Sequence, residues 1–238
     1  MCSLEKRGNL FFLTLTGDDQ HRLGPPLISS ILSTISKISS QANAGSVLIT
    51  TAHGKYFSTG FDLSYARSAP SPSEAIDRLK SMVESLRPVA AAFMSLPMPT
   101  IIAVTGHAAA GGLMLPICHD YILMRSDHGV LLMPEVDLGL PLPDYFAAVM
   151  RERIKSPAAL RDMMLRGVKV TGEEGVKMKI VDSVYDSAER TIDAAVRLGE
   201  ELARRKWNGE VYAEIRKSLY PESCQVLGLI QKQLVSKI

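Results

Sequence analysis

A glutamate interrupts an apolar run in the middle of the chain. In the segment LLMPEVDLGLP, residues 131–141, Glu135 follows a proline and stands among leucine, methionine and valine. A carboxylate that leaves water for an apolar site resists ionisation unless another group pairs with it, so its basicity increases. Such a carboxylate can take up a proton during a reaction. The alternative is a glutamate at a strand end with its carboxylate in solvent, which is where most glutamates lie.

Two loops rich in small residues each follow a predicted buried strand. The first is HGKYFSTGFDL at residues 53–63, and the second is GHAAAGGLML at residues 106–115, which opens a predicted helix. Small residues let a ligand approach the backbone closely, so N–H groups in these loops could donate to a ligand oxygen. An ordinary turn or close helix–strand packing would use the same residues. Neither loop has the GxGxxG spacing or the lysine of a phosphate-binding loop, which disfavours a nucleotide-phosphate site.

The two loops and the glutamate together fit one kind of chemistry. Removal of a proton from the carbon next to a carbonyl needs a base and donors that stabilise the enolate oxygen. Asp137 is a rival base, because in an extended segment its side chain would face the same way as that of Glu135, about 7 Å away. His107 in the second loop is a weaker candidate for substrate contact, and His119 is predicted to be structural.

The composition is typical of a soluble globular protein. The chain has 238 residues, 46% of them hydrophobic, and a formal net charge of +2. The basic residues are scattered and are not interleaved with aromatic ones, so no nucleic-acid surface is expected. Cys2, Cys118 and Cys224 are far apart, which predicts free thiols and no metal site. Residues 100–118 are apolar but contain glycine, histidine and proline, so a buried strand and helix are expected there rather than a membrane span.

Strands and helices alternate along the first 130 residues, which predicts an α/β fold. The sequence beyond residue 143 is mostly helical. We therefore expect an α/β core at residues 1–185 and a helical region at residues 186–238 that provides subunit contacts. Pro88 is expected to break or bend a helix over residues 71–97, and the last helix is expected to span residues 208–236.

Four ordered segments resemble the crotonase superfamily, the enoyl-CoA hydratase/isomerase fold. They are KYFSTGFDL, IIAVTGHAAAGGLML, CHDYIL and PEVDLGLPLP, all within residues 55–143. The resemblance implies a crotonase-like spiral of ββα units followed by a helical C-terminal region. It also implies a fatty acyl-CoA substrate and no separate cofactor, since coenzyme A is part of the substrate.

The resemblance also assigns roles to individual residues. The backbone N–H groups of Phe61 and Gly111 would form an oxyanion hole for the thioester carbonyl, and Glu135 would transfer the proton. The other residues implied to bind substrate are Ser58, Gly60, Asp62, Leu63, Ala110 and Met114, with Arg22 and Leu23 beside the coenzyme A moiety. Asp62 would have a structural part in its loop. Before Arg22, Gly-Asp-Asp-Gln replaces the family's Asn-Arg-Pro.

Met114 is the main departure from the family pattern. Hydratases of the family carry a glutamate at this position and a second one at the position of Glu135, and the pair activates a water molecule. A single carboxylate suits Δ3,Δ2-enoyl-CoA isomerisation in fatty acid β-oxidation, where the same group removes the C2 proton and returns it at C4. The alternatives are a hydratase that uses one glutamate and a non-catalytic acyl-CoA-binding protein. The segment EVDLGLPLPD is most similar to the plant-type peroxisomal isomerases.

Assembly and location are further implications. Family members are trimers or pairs of trimers, so a homotrimer or hexamer is expected. The final residues, Ser-Lys-Ile, differ at one position from the Ser-Lys-Leu address read by the peroxisomal import receptor. We therefore expect a peroxisomal protein, or otherwise a cytoplasmic one.

Overall fold

The structure is a computed structural model that describes residues 1–231. In this part of the chain the strands form a six-stranded sheet, ordered β1-β2-β3-β5-β7-β9, and a three-stranded sheet, ordered β4-β6-β8. The strands are β1 Cys2–Arg7, β2 Leu10–Leu15, β3 Val47–Ala52, β4 Tyr56–Ser58, β5 Thr100–Val104, β6 His107–Ala109, β7 Tyr121–Arg125, β8 Leu131–Leu132 and β9 Ser183–Tyr185.

Helices fill most of the remaining sequence. They are α1 Pro25–Ser40, α2 Leu63–Arg67, α3 Pro72–Ser95, α4 Gly111–Ile117, α5 Asp144–Arg153, α6 Pro157–Arg166, α7 Gly172–Lys177, α8 Ala188–Ala203, α9 Gly209–Leu219 and α10 Pro221–Val226. None of the helices within residues 1–231 is long and apolar enough to cross a membrane. Strands and helices alternate up to β9, so the predicted α/β class is confirmed.

The inner strands β2, β3 and β5 of the large sheet are almost entirely buried on both faces. Only β1 and β2 pair antiparallel, and the other neighbours are parallel. In β2, Phe11 and Leu13 point into the main core, whereas Leu10 and Phe12 point into a second cluster with α8. This period of two follows from the pleat of a strand. Helix α8 therefore closes one face of the sheet, and α1 and α3 contribute to the core on the other face.

Two helices that contain a proline in their predicted ranges differ from the structure. Helix α3 runs unbroken through Pro88, so the predicted break is wrong. Its neighbours Leu86 and Val89 are buried on the core side, and this packing holds both halves of the helix despite the missing N–H. The helix predicted over 208–236 is instead two helices, because Tyr220 ends α9 and Pro221 begins α10. Residues 232–236 of the predicted helix lie outside the described residues.

The small sheet places the chemically important segments. Strands β4, β6 and β8 are all parallel, with Ser58 opposite Ala108 and Ala109 opposite Leu132. The carboxyl ends of parallel strands meet at one edge of a sheet. The segments that leave these three strands therefore emerge side by side.

Candidate active site

The three segments singled out in the sequence converge at this edge. The first loop continues from Ser58, the second from Ala109, and the apolar segment from Leu132. The N–H of Ala110 donates to the carbonyl oxygen of Leu132 at 2.9 Å, which joins the second loop to the strand before Glu135. Backbone pairing alone thus brings together residues that lie more than 70 positions apart.

Gly60 lets the first loop lie directly against the second. Its φ is +89°, a conformation that disfavours residues with a side chain. A Cβ built on Gly60 would lie 2.9 Å from the Cβ of Ala110 and 3.3 Å from the nitrogen of Gly111. The loop is also fixed to the chain near Leu23, whose N–H donates to the Gly60 carbonyl at 2.8 Å. The close approach therefore requires glycine at this position.

Phe61 and Gly111 present backbone N–H groups at this junction. Phe61 forms a bridge with Leu23, and Gly111 is the first residue of α4, where an N–H has no partner within the helix. Within residues 1–231, neither N–H donates a hydrogen bond. A Cβ on Gly111 would lie 3.0 Å from the Phe61 ring, so the two residues are in contact. These two neighbouring amides therefore have no hydrogen-bond acceptor within the described chain.

Ala110 adopts an unusual backbone conformation between the two loops. Its φ is +52° and its ψ is −130°, in a region that residues with a Cβ rarely occupy. Such a residue costs on the order of 1–3 kcal/mol and is common at functional sites. The conformation turns the chain from β6 into α4 and thereby sets the direction of the Gly111 N–H.

Glu135 is buried in the segment that leaves β8 at the same sheet edge. Its residue exposure is 9%, and its Oε2 atom is buried without a hydrogen-bond partner in the described chain. Burial raises the pKa of Glu135 above the ordinary glutamate value, although a hydrogen bond from its own backbone N–H opposes this effect. The carboxylate is therefore unusually basic, as the apolar sequence around it predicts.

Asp137 does not stand beside Glu135. The N–H groups of Asp137 and Leu138 both donate to the carbonyl of Pro134, so the segment forms a turn and the expectation from an extended strand is wrong. The Asp137 carboxylate lies against Gly167 at the end of α6, where a built Cβ would be 2.7 Å from its Oδ2 atom. This exposed carboxylate points towards a different element.

Met114 lies in the turn of α4 that follows Gly111. Its side chain is 1% exposed and belongs to the main core together with Met133, two residues before Glu135. A thioether neither exchanges a proton nor orders a water molecule as a carboxylate does. Of the two positions, 114 and 135, only Glu135 therefore carries a carboxylate.

Ser58 and Asp62 support the first loop from within. The Ser58 hydroxyl donates to the His21 carbonyl at 2.8 Å and accepts from the Gly60 N–H at 3.3 Å. Asp62 caps α2 by accepting from the N–H groups of Ser64 and Tyr65. Partial burial alone would raise the pKa of Asp62, but these hydrogen bonds lower it. Both side chains position the backbone of the loop.

The remaining predicted contacts differ in exposure. Leu23 is fully buried, and its Cδ1 would lie 3.4 Å from a Cβ on Gly111, so it packs beneath the junction. Leu63 is partly buried at the start of α2. Arg22 is partly exposed and hydrogen-bonded to Gln20 at 3.1 Å, with Asp18 4.0 Å away. Of the two residues expected beside coenzyme A, Arg22 is therefore partly exposed to solvent, whereas Leu23 is not.

The two histidines near these segments lie away from the junction. His107 begins β6, at the end of the strand opposite to Gly111, and its ring contacts His128 at a centroid distance of 4.6 Å. His119 is buried, and its ring nitrogens pair with the Leu115 carbonyl and the Thr50 hydroxyl, each at 2.8 Å. Burial lowers the pKa of His119 to about 4, so a neutral, structural ring results.

An aromatic residue at the site has no signal in the sequence. The ring of Phe146 in α5 stacks with that of Phe61 at a centroid distance of 6.4 Å. In the sequence Phe146 is one of several apolar residues on an amphipathic helix, a pattern that predicts only core packing.

No group of three or more histidine, cysteine or acidic side chains within residues 1–231 is arranged to hold a metal ion.

Comparison with known proteins shows the family. A family model described as enoyl-CoA hydratase/isomerase matches residues 19–223. The chain is 59% identical over 230 residues to "Enoyl-CoA delta isomerase 2, peroxisomal" of Arabidopsis thaliana, with 96% of each chain covered. It is 56% identical over 237 residues to "Enoyl-CoA delta isomerase 3" of the same plant, with 99% of each covered.

A solved structure confirms the fold. The probable enoyl-CoA hydratase EchA3 of Mycobacterium tuberculosis superposes with a TM-score of 0.84 at 21% identity, over 95% of this chain and 91% of that one. The predicted crotonase-like architecture is therefore present. With the family match spanning most of the sequence and the two relatives covering nearly all of it, the chain belongs to the enoyl-CoA hydratase/isomerase family.

Proposed function

We propose that this protein is a Δ3,Δ2-enoyl-CoA isomerase. One observation carries the proposal: within residues 1–231, the buried Oε2 atom of Glu135 has no hydrogen-bond partner, and it lies at the same sheet edge as two backbone amides that donate no hydrogen bond. The names of the Arabidopsis relatives agree with this activity. The substrate class is a fatty acyl-CoA, and coenzyme A enters as part of the substrate.

The reaction needs only these groups. The thioester oxygen accepts hydrogen bonds from the N–H groups of Phe61 and Gly111, and Glu135 removes a proton from C2. The electron pair of the broken C–H bond delocalises into a dienolate, whose oxygen the two amides stabilise. The protonated Glu135 then returns the proton at C4, which leaves the double bond between C2 and C3. No atom is gained or lost, and the carboxylate is restored.

A hydratase reaction is the second candidate, since both activities occur within the family name. Hydration needs a water molecule that is held and activated for attack at C3. Met114 supplies no polar atom for that purpose, and the burial that makes Glu135 basic also keeps water scarce.

A non-catalytic acyl-CoA-binding protein is a third candidate. It would gain nothing from an unpaired buried carboxylate, which costs stability.

Two substrates separate these candidates. A 3-enoyl-CoA should show a rise in the ultraviolet absorbance of the conjugated thioester when the purified protein is added, because the product is the 2-trans-enoyl-CoA. A 2-trans-enoyl-CoA should show little change. A fall in its absorbance would identify water addition and favour the hydratase, and no change with either substrate would favour the binding protein.

The pH profile reports on the base. Since Glu135 must be ionised to accept the C2 proton and its pKa is raised by burial, kcat/KM should rise with pH through a value above that of an ordinary glutamate. The rate should then reach a plateau. A profile measured with the 3-enoyl-CoA tests this. An acid limb at or below the ordinary glutamate value would contradict a desolvated base.

The proposals on subunit assembly and cellular location rest on the family resemblance and on the names of the relatives. We propose a homotrimer or hexamer in which residues 186–238 contribute subunit contacts. A relative of 59% identity is named peroxisomal, which supports peroxisomal location. The Ser-Lys-Ile sequence at 236–238, which would be read by the import receptor, lies outside the described residues.

A further inference from the structure

The segment before α1 lies along the first loop and is hydrogen-bonded to it. The N–H of Thr59 donates to the Gln20 carbonyl at 3.0 Å, and the N–H of Leu23 donates to the Gly60 carbonyl at 2.8 Å. His21 stands between these two contacts in the chain and is 3% exposed. The proposed reaction does not use its side chain. A buried histidine therefore lies in the middle of the contact between this segment and the loop.

The hydrogen bond from Leu23 fixes the direction of the Phe61 amide. The Gly60 carbonyl and the Phe61 N–H belong to one planar peptide group, in which the two bonds point in opposite directions. Because the N–H of Leu23 holds the carbonyl end, the N–H end must point away from Leu23. A carbonyl that accepts a hydrogen bond also polarises its peptide group, which strengthens the N–H as a donor. A shift of Leu23 would therefore turn or weaken the Phe61 donor.

The backbone of His21 turns the chain towards this contact. Its φ is +44°, in the left-handed region that residues with a side chain rarely occupy, apart from asparagine and aspartate. Such a conformation persists only where the surrounding contacts impose it. The contacts of His21 must therefore hold the turn that brings Leu23 to Gly60.

Two hydrogen bonds attach His21 to β4. Its Nδ1 atom lies 3.0 Å from the Tyr56 carbonyl oxygen, and its main-chain carbonyl accepts from the Ser58 hydroxyl at 2.8 Å. Since a carbonyl oxygen only accepts, Nδ1 carries the proton and donates it to Tyr56. Tyr56 and Ser58 are the first and last residues of β4. His21 thus binds both ends of the strand that leads into the first loop.

The ring of His21 is a neutral donor. Burial lowers the pKa of His21, although the hydrogen bond with the Tyr56 carbonyl and the nearby Asp18 carboxylate oppose this effect. A neutral imidazole with its proton on Nδ1 satisfies the Tyr56 carbonyl without placing a charge in the buried space. The ring therefore supports the backbone and takes no part in proton transfer.

We propose that His21 is a positioning residue for the isomerase reaction: it binds both ends of β4, sets the place of Leu23, and through Leu23 orients the Phe61 amide. The inference rests on the proposed function, because it assigns how one of the two oxyanion donors is held. Donors that are fixed in advance stabilise the charge of the dienolate without reorienting during the reaction. A Phe61 amide that is free to turn would lose part of this effect.

The test compares two replacements that both accept the backbone of residue 21. His21→Gly tolerates a positive φ but has no ring, so kcat for a 3-enoyl-CoA should fall by at least about tenfold, within the loss of up to about 10²–10³-fold that removal of an oxyanion donor causes. KM should change less, because the donors act mainly on charge that develops in the transition state.

His21→Asn is the conservative variant. Asparagine also tolerates a positive φ, and its side-chain amide can donate from near the position of Nδ1. It should restore kcat to nearly the wild-type value. His21→Leu fills the buried space without a donor, and its kcat should fall as that of His21→Gly does. It serves as the second variant if the glycine lowers stability too far.

Thr191→Val is the control for stability. Thr191 is buried in α8, which packs against the large sheet, and its hydroxyl donates to the Ser187 carbonyl at 2.7 Å. Loss of this hydrogen bond should lower the melting temperature and leave kcat unchanged. If kcat falls in Thr191→Val as it does in His21→Gly, activity follows general stability and the positioning role is wrong.

Binding of acetoacetyl-CoA separates this inference from the proposed function. This 3-oxoacyl thioester ionises to an enolate that absorbs in the near ultraviolet, and a well-placed oxyanion donor favours the enolate. The wild type and His21→Asn should bind a larger fraction as the enolate than His21→Gly does. If this pattern appears but no 3-enoyl-CoA is isomerised, the function is wrong and the role of His21 stands.

Three results would overturn the role. The first is wild-type kcat and enolate absorbance in His21→Gly. The second is an equal loss of kcat in His21→Asn and His21→Gly, because donation to Tyr56 would then not be the cause. The third is a raised KM with unchanged kcat and weaker binding of free coenzyme A, which would mean that His21 only places Arg22.

Discussion

Replacement of Glu135 by glutamine is expected to lower kcat for isomerisation of a 3-enoyl-CoA by about 10²–10⁴-fold or more, the range for loss of a general base. The amide has nearly the same shape as the carboxylate but cannot accept the C2 proton. Glu135 is a buried carboxylate at the sheet edge where the two loops emerge, and Met114 on α4 is buried and carries no carboxylate. The measurement is the initial rate of formation of the conjugated thioester.

The matched control is Asp137→Asn. Asp137 is two residues away and carries the same charge, but its carboxylate faces Gly167 and is exposed. We expect this variant to retain nearly the wild-type rate. If Asp137→Asn is inactive and Glu135→Gln is active, the proton is transferred by Asp137 and the proposed assignment is wrong.

Glu135→Gln also distinguishes catalysis from a structural role. Oε2 of Glu135 has no hydrogen-bond partner in the described chain, so the substitution removes no protein contact from that atom. Thermal stability and the affinity for coenzyme A should therefore not fall below those of the wild type. Loss of either property together with activity would show that the side chain holds the site together.

The sequence predicts that the three segments converge because each of them follows a strand end. Buried apolar runs identify the main strands, and each chemically important segment directly follows one of them. Parallel pairing then aligns the ends of β4, β6 and β8, so Gly60, Gly111 and Glu135 converge without any long-range signal in the sequence. The family motifs add the roles that spacing alone leaves open.

The errors arise where a local turn or core packing differs from what the sequence pattern suggests. Asp137 is wrongly expected to face the same way as Glu135, because alternation along a strand does not anticipate the turn at Pro134. Pro88 is a helix breaker by local preference, but core packing on both sides keeps α3 continuous.

Arg216→Met is expected to lower the free energy of unfolding by about 3–5 kcal/mol, the usual cost of removing one partner of a buried ion pair. Arg216 in α9 is 3% exposed and donates to both carboxylate oxygens of Asp120 at 2.6 and 2.7 Å. It also donates to the carbonyls of Leu96 and Met98. The substitution leaves the Asp120 carboxylate without its ion-pair partner, although Thr100 and Tyr212 still donate to it, and it leaves the two carbonyls without their Arg216 donor. Denaturant unfolding of the full chain measures the loss.

A surface pair provides the control for this stability effect. Arg166 lies 3.4 Å from Asp162 on α6 and is largely exposed, so Arg166→Met should change the free energy of unfolding by less than about 1 kcal/mol. A similar loss in both variants would mean that general charge removal destabilises the protein. The comparison therefore isolates the contribution of burial.

The pH dependence of Arg216→Met tests the cause. Burial alone would raise the pKa of Asp120, but its ion pair with Arg216 holds this pKa below the ordinary value. In the wild type, stability from this carboxylate is present above the pKa of the unfolded chain and is lost as pH falls through the folded-state pKa. In the variant the raised pKa lets Asp120 take up a proton more readily, so the difference in unfolding free energy should shrink as the solution is acidified. A difference that is independent of pH would instead assign the loss to the Leu96 and Met98 carbonyls and to packing of α9.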